Sequence, residues 1–207
     1  MKRWGWLTLA LVLAMTGGGC STVKETVADY AYMARERGLS EAYVESLQQW
    51  SREETAYSQF ETRFHISATY KSPAFREAFL KEQARLLALP PEAQEKREAQ
   101  ERDHAAEVTE FFFYAYTADR EVNDFGERRT HWRVFLLDET GRQVEPLEVR
   151  RISPVTPFME TFYPYIKPHY GFCYSVKFPR QTSETLTLVF TSFLGRVDLS
   201  WPSRRNP

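Results

Sequence analysis

Thr109-Glu110-Phe111-Phe112-Phe113-Tyr114-Ala115-Tyr116-Thr117-Ala118 is the stretch on which the fold turns. It is rich in β-formers, and its apolar residues fall on both parities. Successive side chains of a strand point to opposite faces, so a strand with rings on both faces must be covered on both. The stretch therefore reads as the centre of a sheet, with one layer packed above it and another below.

Upstream the β signal has a different form. Over residues 57–70, Phe60, Thr62, Phe64, Ile66, Ala68 and Tyr70 share one parity, while Gln59, Glu61, Arg63, His65, Ser67 and Thr69 share the other. This alternation predicts a strand with one buried and one wet face, and it puts His65 on the solvent side. Downstream, Trp132 to Leu137 and Val144 to Ile152 flank the turn Asp138-Glu139-Thr140-Gly141-Arg142. That pattern predicts a hairpin, with Gly141 suited to a positive φ and Pro146 marking an edge or a bulge. Residues 172–178, 186–191 and 197–201 alternate in the same way. Pro154, Pro157, Pro164 and Pro168 exclude a long regular element over 153–170. About seven strands, six of them after residue 108, predict a mainly β chain folded as an antiparallel β-sandwich. Immunoglobulin-like topology is suggested by the strand count alone, and the Cys-Trp-Cys pattern of true immunoglobulin domains is absent.

Helical patterns precede and interrupt the strands. Val23, Val27, Tyr30, Ala31 and Ala34 recur at helical spacing, with Gly38 as a stop. A second helix runs from the N-cap Ser40 to about Glu53, with Tyr43, Leu47 and Trp50 on one face. That face serves a spacer or a partner-docking helix, or it packs on the chain's own domain; the cost of leaving Leu47 and Trp50 in water favours packing. Ser72-Pro73 opens a third helix with Phe75, Phe79, Leu80, Leu86 and Leu87 as its apolar stripe, and Pro90-Pro91 ends it. Residues 92–107 are almost wholly polar and read as a solvated helix held by tethering and ion pairs. Residues 73–107 thus form a helical insertion between the first two strands.

The amino end carries a separate message. Met1-Lys2-Arg3 is basic, Trp4 to Met15 is apolar apart from Gly5 and Thr8, and Thr16-Gly17-Gly18-Gly19-Cys20 follows. This is the three-part layout of a secretory signal, too short for a comfortable membrane span. An apolar run that ends in small residues and a Cys resembles the lipobox of bacterial lipoprotein precursors, with Gly17 where a Leu is common. The resemblance covers residues 1–20. It implies cleavage between Gly19 and Cys20, diacylglycerol on the Cys20 sulfur and an acylated amino terminus, so that the lipid bilayer is the first partner. Ser21 follows the Cys; in enterobacterial sorting an Asp there retains a lipoprotein at the inner membrane, so the resemblance favours the outer membrane. The expected organisation is a signal peptide over 1–19, a lipid anchor and helical tether over 20–54, and a β-sandwich domain over 55–207.

Composition narrows the function classes. The chain has 207 residues with 27 Lys and Arg against 28 Asp and Glu. Without a basic excess, nucleic acid is excluded as an expected partner. There are two Cys; with Cys20 acylated, Cys173 has no partner in the chain and reads as a small buried side chain. No G-x-S-x-G elbow, Walker loop, H-E-x-x-H or zinc-spaced Cys pair occurs. His65, His104, His131 and His169 are scattered, and only His169 and Cys173 stand at i, i+4. No catalytic residue, metal site or cofactor is assigned.

The most unusual stretch is Phe158 to Phe172. Phe162, Tyr163, Tyr165 and Tyr170 stand among prolines, Lys167 and His169. Stiff aromatic loops of this kind present stacking surfaces to sugars, peptides or proteins, or else plug one end of a sandwich. The expected function is non-catalytic binding or scaffolding in the cell envelope, with an envelope protein or glycan as partner. Two other classes are an envelope hydrolase acting on glycans with carboxylates from the 119–128 loop, and an accessory subunit of an export or efflux assembly. The last would leave the face of Tyr43, Leu47 and Trp50 uncovered.

Overall fold

A computed structural model describes residues 30–58 and 61–202. Residues 1–29, which include Cys20, Val23 and Val27, lie outside the described residues, as do Gln59 and Phe60. In chain order the elements are α1 (residues 30–36), α2 (Glu41–Trp50), β1 (Ser51–Ser58), β2 (Glu61–Tyr70), α3 (Pro73–Leu87), α4 (Pro91–Glu107) and β3 (Val108–Thr117). A single 3-10 turn (Arg120–Val122) leads to β4 (Arg133–Leu137), β5 (Gln143–Val144), β6 (Glu148–Ile152), α5 (Pro157–Phe162), β7 (Phe172–Pro179), β8 (Thr185–Ser192) and β9 (Gly195–Pro202).

The strands form two antiparallel sheets, ordered β1-β2-β3-β7-β6 and β5-β4-β8-β9. The chain is therefore a β-sandwich, and β3 is the middle strand of the larger sheet. Setting β1 aside, the two orders are those of strands A-B-E-D and C′-C-F-G in an immunoglobulin-type sandwich. The helical insertion occupies the A–B connection.

The two parities of β3 feed two separate cores. Phe111, Phe113 and Ala115 join Phe64, Ile66, Tyr174, Leu188, Phe190 and Trp201 between the sheets. Phe112 and Tyr114 point the other way and meet Tyr43, Val44, Leu47, Phe75, Phe162 and Tyr165 under a layer of helices. The architecture is three layers, with the five-stranded sheet in the middle. Each fully buried ring of this kind contributes about 2–3 kcal/mol by area, so the helical layer is fastened to the sheet by a core of its own.

Several local expectations change. The helix that opens at Ser40 ends at Trp50, and Ser51–Ser58 is a strand of its own paired with β2. The 57–70 signal thus takes in the end of β1 and the whole of β2, which pair antiparallel. The face of β2 carrying His65, Ser67 and Thr69 is not wet: Ser67 and Thr69 are buried under the helices. The hairpin at 132–152 closes over only two residue pairs, Leu136 with Val144 and Leu137 with Gln143. Beyond Pro146 the chain crosses to the other sheet, where β6 pairs with β7; Pro146 has no N–H to extend the first ladder. Leu86 and Leu87 stand exposed at the end of α3.

Other local features stand as read. Ser40 and Ser72 cap their helices, accepting from the backbone N–H of Tyr43 and Phe75. Gly141 has φ 80°. Of α4 only Ala105 is buried. Among the described residues no helix is long and apolar enough to cross a membrane.

Candidate functional site

The register of β1, β2 and β3 sets polar groups in rows across the helix-facing side of the larger sheet. Ser51, Thr69 and Phe112 form one row; Glu53, Ser67 and Tyr114 the next; Thr55, His65 and Tyr116 a third. The first row is sealed: Ser51 Oγ and Thr69 Oγ1 lie 2.8 Å apart, and Thr69 Oγ1 is 2.7 Å from Tyr165 Oη. The second row is bridged by α1, because Tyr30 donates its hydroxyl to Glu53 Oε2. The third row is open. It floors a cleft of about 720 Å³ lined by Tyr30, Met33, Thr55, Tyr57, Thr62, His65, Tyr114, Tyr116, Tyr165, Lys167 and Tyr170. Six of these residues are tyrosines. The volume lies in the range of about 300–1,000 Å³ typical of small-ligand sites.

Each wall has a local cause. α1 supplies Tyr30 and Met33 from the same flank, with Ala31 and Ala34 buried against the sheet. The opposite wall is the turn 167–171, where the Lys167 carbonyl accepts from the N–H of Tyr170 at 3.0 Å and from Tyr114 Oη at 3.2 Å. Tyr57 and Tyr170 form the rim, 67% and 64% exposed, so their ring faces are free to stack.

His65 is committed to the floor. Its Nδ1 lies 2.7 Å from Thr55 Oγ1 and its Nε2 2.9 Å from Ser67 Oγ, so a neutral ring donates through one nitrogen and accepts at the other. Burial lowers its pKa and Lys167 adds to that, while the Glu53 carboxylate, with an oxygen 3.7 Å from Nε2, pulls the other way. The net direction is down, toward the neutral imidazole. Glu53 Oε1 is buried and has no hydrogen-bond partner among the described residues. Burial, with the neighbouring Glu53 charge, also raises the Tyr30 phenol well above its ordinary value, so Tyr30 remains a donor.

Of the residues singled out by the aromatic stretch, Phe162, Tyr163 and Tyr165 are buried in the helix-side core and Tyr170 alone is exposed. Tyr163 stacks on Phe112 with ring centroids 4.2 Å apart, and Phe162 accepts the Tyr43 hydroxyl at its carbonyl. These three rings thus fill the core between the larger sheet and the helices and do not close an end of the sandwich; of them Tyr165 also lines the cleft. The face of Tyr43 and Leu47 is covered by the same core, and Trp50 packs on Tyr70. In the 119–128 loop, Asp119 caps the 3-10 turn and Asp124 accepts from the His131 backbone and ring, so both hold the loop's own shape. Cys173 is buried in β7 while His169 is exposed in the preceding turn. Among the described residues no cluster of three metal-ligating side chains occurs.

A second polar cluster lies at the other end of the same face. Glu110 on β3 accepts from Lys71, Arg76 and Ser175, with His104 also beside it. Burial alone would raise its pKa, but the charges and hydrogen bonds of Lys71 and Arg76 reverse that and hold it at about 2. Arg76 also pairs with Glu101, so the network ties α3 and α4 to the sheet. It is a fastening, with every strong group matched.

The cleft residues were hidden from sequence reasoning. Ser51 to Ser58 has no apolar alternation to reveal Glu53 and Thr55 as one face of a strand, and the polar parity of β2 looks like a solvent face. The signal available in the sequence was the pair Tyr114 and Tyr116, which share one parity of β3 and both line the cleft. Comparison of the chain with protein-family models, with curated proteins and with solved structures finds no match.

Proposed function

We propose that this chain is a lipid-anchored binding protein of the bacterial cell envelope, held on the outer membrane by acylated Cys20, and that the tyrosine-lined cleft is where it takes its ligand. The observation that carries the binding half is the cleft itself: a preformed concavity on a rigid sheet, walled by α1 and the 167–171 turn, with two exposed rings at its mouth. Aromatic faces beside hydroxyls suit a ligand that offers both ring surface and hydrogen-bonding groups, such as a glycan or a peptide of an envelope partner. Both nitrogens of His65 are engaged by neighbours, which suits holding a ligand better than moving its protons.

The amino-terminal pattern supports the anchor half. Two or three acyl chains on one residue bind a bilayer firmly, at about 0.8 kcal/mol per buried CH2. About ten residues separate Cys20 from Tyr30 in the cleft wall, a reach of at most about 35 Å at full extension. The cleft would then work close to the membrane surface. Growth of cells expressing the full chain with an alkyne-bearing palmitate tests the anchor. The wild type is expected to take the label and Cys20→Ser to lose it; a label that survives in Cys20→Ser removes the anchor.

A further inference from the structure

We infer that the ligand of this cleft is a pyranose carrying an anionic group, phosphate or carboxylate, with the sugar ring stacked at the tyrosine rim and the anion held by Lys167. This rests on the reading of the cleft as a binding site and specifies what it binds.

Charge selects the anion. Lys167 is the only lysine or arginine in the lining, no carboxylate lines the cleft, and among the described residues no acidic side chain forms a salt bridge with Lys167. What sets Lys167 apart is its place: it stands in a concave lining that holds no carboxylate, whereas Lys81 pairs with Glu77 and Arg142 with Asp138 on the open surface. Lys167 is also set in place. Its carbonyl is fixed by three donors, Tyr114 Oη and the N–H groups of Tyr170 and Gly171, so its backbone does not need ordering when a ligand arrives.

Ring chemistry selects the sugar. A tyrosine presents a flat apolar face for the C–H face of a pyranose and a hydroxyl for its O–H groups. Tyr57 on β1 and Tyr170 on the turn stand at the mouth with their rings exposed, and Tyr116 and Thr62 lie on the floor between them. A flexible acidic peptide would use the cation but waste the rigid ring surfaces; a neutral sugar would use the rings but leave the lysine without a partner.

Ligand-detected saturation-transfer NMR on the full chain tests this with three probes: N-acetylglucosamine, N-acetylglucosamine 1-phosphate and N-acetylmuramic acid. Both anionic sugars are expected to bind about fivefold or more tightly than the neutral one, a charge-assisted contact at an exposed site. Lys167→Gln is expected to bring them down to the neutral level, and Tyr170→Ala to weaken all three while the thermal midpoint holds. Preference for the phosphate assigns a membrane headgroup as the source, and preference for the carboxylate assigns the cell-wall polymer. Equal binding of all three, unchanged by Lys167→Gln, overturns the anionic assignment and leaves the binding site standing. No saturation transfer to any probe overturns the sugar assignment as a whole, and ligand retention by the cleft in membrane-extracted protein then decides the binding reading independently.

Discussion

Gly171 lies so close to Ala115 that it has no room for a side chain: a methyl group would strike the Ala115 carbonyl oxygen and sit 2.7 Å from Cζ and Oη of Tyr114. The 167–171 turn can therefore lie flat on β3 only because residue 171 is glycine. Gly171→Ala is expected to destabilise the fold by about 2 kcal/mol or more, as overpacking against backbone does, and to displace Lys167 and Tyr170 from the cleft. Chemical denaturation checks the first effect. Amide exchange in the turn checks the second, with faster exchange at Tyr170 expected.

Glu110 couples stability to acid pH. Its folded pKa of about 2 lies below the ordinary 4.5, so the unfolded chain binds more protons over that interval. The stabilisation is complete above about pH 4.5 and is lost as pH falls toward 2, on the order of 2–3 kcal/mol. Glu110→Gln is expected to flatten this part of the stability–pH curve. It should also lower stability at pH 7 by about 3 kcal/mol, because Lys71 and the buried Arg76 lose the carboxylate they share and Arg76 keeps only the half-exposed Glu101. A pH series of urea melts on both proteins checks the difference.

The polar floor of the cleft makes the opposite kind of group behave in the same direction. His65 has a folded pKa below its ordinary 6.5, with Glu53, Lys167, Thr55, Ser67 and Tyr30 as its surroundings. Its contribution is present above about pH 6.5 and declines as pH falls, because the unfolded ring takes up a proton first. The His65 Cε1 proton is expected to titrate below pH 6.5 in the folded protein. A midpoint above 6.5 would mean that Glu53 outweighs burial.

How much of this was legible depended on what surrounds each strand. Phe111 to Tyr116 advertised a doubly covered centre because both parities are aromatic, and Phe64, Ile66 and Ala68 marked the inter-sheet face by plain alternation. His65, Ser67 and Thr69 did not announce their burial. A polar row is buried only when another element supplies matching polar groups, and here Glu53, Tyr30 and Tyr165 come from up to about a hundred residues away in sequence. The crossing at Pro146 was half legible: the missing N–H signalled an interruption, but which sheet the chain rejoined depended on β7. The tyrosine cleft was the least legible feature, since its walls, α1 and the 167–171 turn, are far apart in sequence and meet only across the packed sheet.

Cys173 is expected to be inert. Burial, with a further push from the Glu160 charge, raises its thiol pKa to about 12, and the side chain is packed among Tyr114 and the helix-side core. A thiol-reactive disulfide reagent should label it only at the rate of global unfolding, and Cys173→Ala should lower stability by about 1 kcal/mol without changing ligand binding.

Native mass spectrometry of the full chain, extracted in mild detergent from the membrane in which it was made, tests the binding cleft most directly. The wild type is expected to retain a non-covalent adduct beyond the mass of the covalent protein, and Tyr57→Ala with Tyr170→Ala is expected to lose it while keeping the wild-type thermal midpoint. An adduct of equal mass and abundance on both proteins, or none on either, would contradict a ligand site at those two rings.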